Sequence, residues 1–119
     1  MQNIDAMKYL YSSTGNFVAI VSDMHSTSET RAVKKRFRAQ LVQKNLIGVE
    51  SINAPSRIAG IDFSDHLNYW KFNIPAVMIT DTSFYRNRNY HTDNDTYEKL
   101  NYRKMKAVVD ATVATVLSL

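Results

Sequence analysis

The chain has 119 residues, 45% of them hydrophobic and 22% charged, the size and balance of one globular domain or part of one and enough to bury a core without cross-links or metal. It has no cysteine, which excludes a disulfide framework and thiolate metal ligation, and no apolar run reaches bilayer-spanning length, so no membrane partner is expected. The net charge is +4, with much of the excess in Arg31, Lys34, Lys35, Arg36 and Arg38; a nucleic-acid surface could use such a cluster, but no aromatic or glycine-rich strand motif accompanies it, and a solvated helix face is the expected reading.

Met1-Gln2-Asn3-Ile4-Asp5 lacks the basic start and long apolar segment of a signal peptide. Met7, Leu10 and Tyr11 fit a helical turn, and Ser12-Ser13-Thr14-Gly15 reads as a turn. The unbroken apolar run from Phe17 to Val21 predicts a strand covered on both faces. Ser26 and Glu29 have capping-box spacing. Val33, Phe37 and Leu41 then recur every four residues and predict a helix with one narrow apolar stripe, closing near Asn45 and Gly48.

Leu46 to Ile52 reads as a short strand, and Ala54 to Phe63, with Pro55 and Gly60, as a loop. Ser64 is the expected N-cap of a short helix from Asp65 to about Phe72 that buries Leu67 and Trp70. Asn73-Ile74-Pro75 turns the chain into a second buried strand, Ala76 to Thr80. Asp81 to Thr96 is a long polar, aromatic and basic connection, of a kind that often carries function. In the last helix Met105, Val108, Val109, Val113, Val116 and Leu117 follow three-and-four spacing and predict the buried face, with Asn101 as its cap. Strands alternating with helices predict an α/β fold, a three-layer mixed sheet flanked by helices, as one domain over residues 1–119. About three strands are few for a doubly covered sheet and point to a missing portion.

Two segments carry chemistry. Tyr90-His91-Thr92-Asp93-Asn94-Asp95-Thr96 and Ser64-Asp65-His66 each set a histidine and carboxylates beside an apolar run, and in α/β proteins sites are built at strand ends. Neutral imidazole is the commonest side-chain metal ligand, which makes His91 the leading candidate. Tyr90 has a hydroxyl that can donate to a developing oxyanion, and Asp93 and Asp95 can orient an imidazole or serve as ordinary caps. Asp65 suits a helix start whatever its function; its functional alternative is to position a catalytic acid or base. His25 reads as structural or exposed. The absence of a Gly-x-Gly-x-x-Gly or phosphate loop leaves nucleotide binding unsupported, and the absence of a Gly-x-Ser-x-Gly elbow argues against a serine hydrolase.

The ordered set Ser64-Asp65-His66, Asn73-Ile74-Pro75-Ala76, Tyr90-His91-Thr92-x-x-Asp95-Thr96 and Leu100 resembles the C-terminal half of metallopeptidase family twenty-eight, which includes bacterial zinc aminopeptidases, glutamate carboxypeptidase and glutaminyl cyclase. The resemblance is clearest from Ser64 onward and extends more loosely back to Gly15-Asn16-Phe17. It implies an incomplete zinc-exopeptidase domain of the phosphorylase/hydrolase-like kind. It also implies that His91 binds one of two zinc ions, that Tyr90 holds the substrate carbonyl as it becomes tetrahedral, and that Asp65 lies near the catalytic centre. A peptide is the implied substrate of the complete parent, and such parents are often secreted or periplasmic. Cyclases of the family tend to carry tryptophan where Tyr90 stands, so the tyrosine leans toward a peptidase.

The family's remaining metal chemistry comes from upstream, where this chain shows no matching His-x-Asp or Glu-Glu motif; His91-Thr92-Asp93 has the His-x-Asp spacing but reads as loop, where the two side chains are not set on one side as in a strand, and Glu29, Glu50 and Glu98 stand singly. One histidine cannot hold zinc in a four-coordinate site. The isolated chain is therefore expected to lack zinc and peptidase activity. Missing strands should leave a sheet edge open to another chain, so a homo-oligomer, or association with the missing N-terminal half, is expected. The alternatives are a non-catalytic interaction module of the same fold and, less favoured, a basic nucleic-acid-binding α/β domain.

Overall fold

Consecutive apolar side chains from Phe17 to Val21 build the centre of the sheet. The computed structural model describes residues 16–42, 46–55, 61, 64–82 and 86–119. The expected turns at Met7 to Tyr11 and Ser12 to Gly15, the helix end at Asn45, and Gly60 lie outside those residues. The first strand, β1 (Phe17–Ser22), pairs in parallel with β2 (Gly48–Asn53) and antiparallel with β3 (Met78–Thr80), giving the mixed order β2-β1-β3. Its alternate residues face opposite ways. Val18 and Ile20 enter one core with Val33, Phe37, Leu41, Val49, Ala107 and Ala111. Ala19 and Val21 enter another with Ala54, Ile61 and Trp70.

The first core lies under two helices, α1 (Thr27–Val42) and α3 (Tyr102–Leu117); the second lies under the short α2 (His66–Trp70). Helices therefore cover both faces of a mixed sheet, the three-layer α/β arrangement expected from the alternation of elements. The stripe of α1 is as predicted, with Val33, Phe37 and Leu41 all buried. Two cations of its polar side are tethered within the chain. The Lys34 ammonium reaches the Ser51 hydroxyl at 3.2 Å and the Glu50 carboxylate at 3.6 Å, and Arg36 donates to the Ser118 carbonyl at 3.1 Å.

Three local expectations are corrected. Ser26 and Glu29 do not form a capping box. The Ser26 hydroxyl accepts from the Ala76 N–H at 3.4 Å, the Ser26 N–H is taken by Asp23 Oδ1 at 2.9 Å, and Glu29 accepts from the Ser28 hydroxyl. The second strand begins at Gly48 rather than Leu46. There the backbones close in, with Gly48 N–H on the Asn16 carbonyl at 2.8 Å and an added Cβ only 3.2 Å from that of Phe17, so glycine serves a close approach rather than a helix end.

The third correction concerns α3. Its cap is as expected, with Asn101 Oδ1 accepting from Lys104 N–H at 3.1 Å. Its buried face is Ala107, Ala111 and Thr115, whereas Met105, Val109, Val113, Val116 and Leu117 are exposed; of the predicted stripe only Val108 packs against the core. The helix carries two apolar faces, and the small-residue face is the one laid on α1 and the sheet, because small side chains allow close approach.

Candidate functional site

The antiparallel direction of β3 sets where the long connection goes. β3 runs from Met78, opposite Val21, to Thr80, opposite Ala19, so the chain leaves it toward the N-terminal end of β1. Arg86 fixes the connection there. Its guanidinium donates to the Phe17 carbonyl at 2.9 Å and lies 3.8 Å from the centre of the Phe17 ring, a hydrogen bond and a cation–π contact on one residue. Burial lowers the Arg86 pKa, and the charge of Asp81 opposes that effect. Lys104 of α3 bonds the Asn16 side chain at the same end.

Beyond Arg86 the backbone makes a run of tight turns. The N–H of Tyr90 meets the Asn87 carbonyl at 3.1 Å, that of Thr92 the Asn89 carbonyl at 2.9 Å, and that of Asp95 the Thr92 carbonyl at 3.0 Å. Side chains lock these turns. Asn87 Oδ1 accepts from Asn89 N–H at 2.9 Å, the Asn87 amide donates to Asp95 at 2.8 Å, and the Thr92 hydroxyl donates to the Asn89 carbonyl at 2.7 Å. Asparagine bonding the backbone two residues on is a known turn device. The signal was present in the spacing of Asn87 and Asn89, which the sequence reading passed over in favour of the histidine.

His91 sits in this framework at φ +57°, a left-handed conformation uncommon outside glycine. Strain of this kind persists only where the surroundings over-determine it, and the turns on either side do so. The imidazole is solvent-facing and stacks on the Tyr90 ring at 4.0 Å with the planes 14° apart. Stacking fixes the ring plane and leaves the nitrogen edge open. Asp95 is a brace of the loop through Asn87, and Asp93 is exposed.

The second segment divides differently. Asp65 is exposed in helical conformation just before α2, and its side chain caps no N–H there. Ser64 does not begin the helix; its carbonyl accepts from Leu67 N–H at 3.2 Å, and α2 spans His66–Trp70 rather than Asp65 to Phe72. His66 is buried, with its Nε2 on the Ile61 carbonyl and its ring edge-on to Trp70 at 4.5 Å. It is a packing histidine. Trp70 in turn donates to the Ala76 carbonyl at 3.0 Å, and the Ser22 hydroxyl donates to the same oxygen at 3.0 Å. The structure thus brings Tyr90 and His91 into contact on one loop and holds Asp65 on another element. His25 is exposed beside Asp23, at 3.5 Å.

A catalytic zinc takes three protein ligands and keeps a position for water. Among the described residues no group of three or more His, Cys, Asp or Glu could hold an ion. The donors present do not fit a complete zinc centre, and His91 offers one ligand position only.

Sequence comparison matches residues 3–116 to a family described as peptidase family M28. A relative in Escherichia coli K12, named as the uncharacterized protein YfbL, is 49% identical over 108 residues, which cover 91% of this chain and 32% of that protein. The chain thus spans about a third of the length of that relative. No solved structure matches.

Proposed function

The chain belongs to peptidase family M28, and we propose that it is the C-terminal portion of a zinc-dependent aminopeptidase domain, contributing Tyr90 and His91 to a site completed by polypeptide outside this chain. The observation that carries the proposal is the outward presentation of the Tyr90–His91 pair on a loop pinned to β1 and braced by Asn87, Asn89 and Asp95. Support also comes from the lengths. The family match runs almost the whole chain, yet the relative is about three times longer.

In this reading His91 supplies one imidazole nitrogen to a metal centre whose other ligands lie elsewhere. Tyr90 donates its phenol proton in a hydrogen bond to the scissile carbonyl oxygen as that oxygen gains charge. Asp65 positions a neighbouring group. Alone, the chain is inactive in this reading, because among the described residues no three-donor group is present. A second reading, a non-catalytic module of the same fold, draws on the lack of a three-donor cluster among the described residues.

The test pairs the chain with the part of the E. coli relative that lies outside the matched 108 residues, supplied as a separate polypeptide, and follows hydrolysis of an aminoacyl chromogenic substrate. Chelator-sensitive hydrolysis should appear only in the mixture. His91→Ala should abolish it, and Tyr90→Phe should lower kcat by about tenfold to a thousandfold with little change in KM. Hydrolysis that survives His91→Ala, or that the isolated chain performs alone, would overturn the proposal.

A further inference from the structure

The candidate loop is a series of three turns, 87–90, 89–92 and 92–95, each closed by a backbone hydrogen bond across three residues. The Thr92 hydroxyl also accepts from Asn94 N–H at 3.3 Å, a contact that is local as well. Turns in series fix their own residues and leave the joints between them to pivot. A longer bond closes the series. The Asn87 carboxamide donates to Asp95 Oδ1 at 2.8 Å across eight residues, while its oxygen accepts from Asn89 N–H at 2.9 Å. Its neighbour Arg86 is fastened to Phe17 of β1. Residues 87–95 therefore form a ring that hangs from the sheet at Arg86 and is shut by a side chain at the same point, with Tyr90 and His91 near its middle.

Position 87 demands an acceptor and a donor on one short side chain, and a carboxamide carries both. Aspartate has the same shape and the acceptor but no donor, and would set a second carboxylate against Asp95. Alanine has neither. We infer that Asn87 is a positioning residue of the candidate site: by closing the loop onto Asp95 it holds His91 in its left-handed conformation and stacked on Tyr90. Its part in a reaction rests on Tyr90 and His91 being the working groups, as proposed above; its hold on their geometry does not. Loosening such a support costs rate rather than binding, because small displacements of reacting groups are expensive.

The ring geometry can be read by proton NMR on the intact chain alone. An imidazole lying nearly flat on a tyrosine ring has its carbon-bound protons in the shielded region of that ring, so the His91 signals should lie upfield, and Tyr90→Leu should give their unstacked position. Asn87→Asp should carry them toward that position, because two carboxylates now face each other where a hydrogen bond stood. Asp95→Asn should move them little, since a carboxamide oxygen also accepts from Asn87. The exchange of Asn87→Asp with Asp95→Asn restores a donor and an acceptor with their places reversed, and should return the signals to those of the parent. His25, beyond the other end of β1, should stay unmoved throughout. The circular dichroism spectrum should not change either, because residues 87 and 95 belong to neither core.

In the mixture with the part of the E. coli relative outside the matched 108 residues, Asn87→Asp should lower kcat by about tenfold to a hundredfold with little change in KM, and the exchange should restore it. His91 signals indifferent to Asn87→Asp overturn the proposal. So does an exchange variant no better than Asn87→Asp, or an Asp95→Asn variant as damaged as Asn87→Asp, because either would show that the bond between the two side chains is not what holds the rings. A mixture in which the unaltered chain supports no hydrolysis overturns instead the reading of Tyr90 and His91 as peptidase groups, and the His91 signals still decide whether Asn87 holds them.

Discussion

The two faces of α3 give opposite responses to substitution, and the contrast can be measured. Ala111 is fully buried between α1 and the sheet, in one core with Ile20, Phe37 and Leu41. Ala111→Leu inserts three carbons where close-packed neighbours leave no space, and overpacking of this kind costs about 1–3 kcal/mol. With an unfolding entropy near 2.1 cal/mol/K per residue, a chain of 119 residues loses about 4 °C of Tm per kcal/mol, so a fall of roughly 4–12 °C is expected. Val113, two residues on, is 54% exposed. Val113→Lys exchanges a β-branched residue for a better helix former and puts a cation toward the C-terminal half of the helix, so its effect should stay within about 0.5 kcal/mol, or roughly 2 °C. Thermal unfolding followed by circular dichroism reads both. A neutral Ala111→Leu together with a large loss in Val113→Lys would show that the valine stripe is the buried face, and the account of α3 would fall.

Two further outcomes follow from the strand ends. At Asp23, burial alone would raise the carboxyl pKa, but hydrogen bonds from the Ser26 side chain and backbone, with His25 nearby, outweigh it and hold the value below the ordinary one. A depressed folded-state pKa contributes stability that is present above the unfolded value and lost as pH falls through the folded one. Asp23→Ala should therefore cost about 1 kcal/mol at neutral pH, and the difference from the parent should shrink below about pH 4; urea unfolding at pH 7 and pH 3 checks this, and an unchanging difference would contradict it. Arg86→Ala removes the tie between the candidate loop and Phe17 and should speed amide exchange over residues 87–95 by about tenfold or more while β1 keeps its protection. Equal exchange in both proteins would mean that the turns hold the loop without the anchor.

What the sequence made legible was whatever a single period encodes. The run from Phe17 to Val21 reads as a strand buried on both sides because no alternation is left to give one face to water. Val33, Phe37 and Leu41 read as the buried side of a helix because α1 has only one apolar side. In α3 the same rule misled. Hydrophobicity ranks valine and methionine above alanine and threonine, so the periodic signal followed the bulkier face. The core took the smaller one, since helix, helix and sheet meet closely there. The Ser26 cap failed for a related reason, while the purely local Asn101 cap was legible. Ser26 is a good N-cap by type, but Ala76, fifty residues away, claims its hydroxyl, and a distant partner leaves no mark in local spacing. Tyr90 and His91 were singled out by their side-chain chemistry and then by the family pattern; the asparagines that shape their loop were visible and undervalued.

The segments that resemble the peptidase family separate physically into architecture and presentation. Asn73 turns the chain at φ +55°, a conformation asparagine tolerates, and delivers Ala76 to a joint. The Ala76 carbonyl takes hydrogen bonds from Ser22 on β1 and Trp70 on α2, while its N–H reaches Ser26 ahead of α1. One residue thus ties the sheet to elements on both of its faces. His66 steadies Trp70 within that joint, and Asp95 steadies the loop. Among the described residues of these segments, Tyr90 and His91 are both held in place and turned outward, and Asp65 is outward without a cap to make. A fold can keep the joint without the chemistry, because Ser22, Ser26, Trp70 and Ala76 bond each other. The outward pair is held with a left-handed His91, and the local packing set against that strain is the stack on the exposed Tyr90 ring. That asymmetry is why the loop, and not the rest of the matched sequence, carries the functional claim.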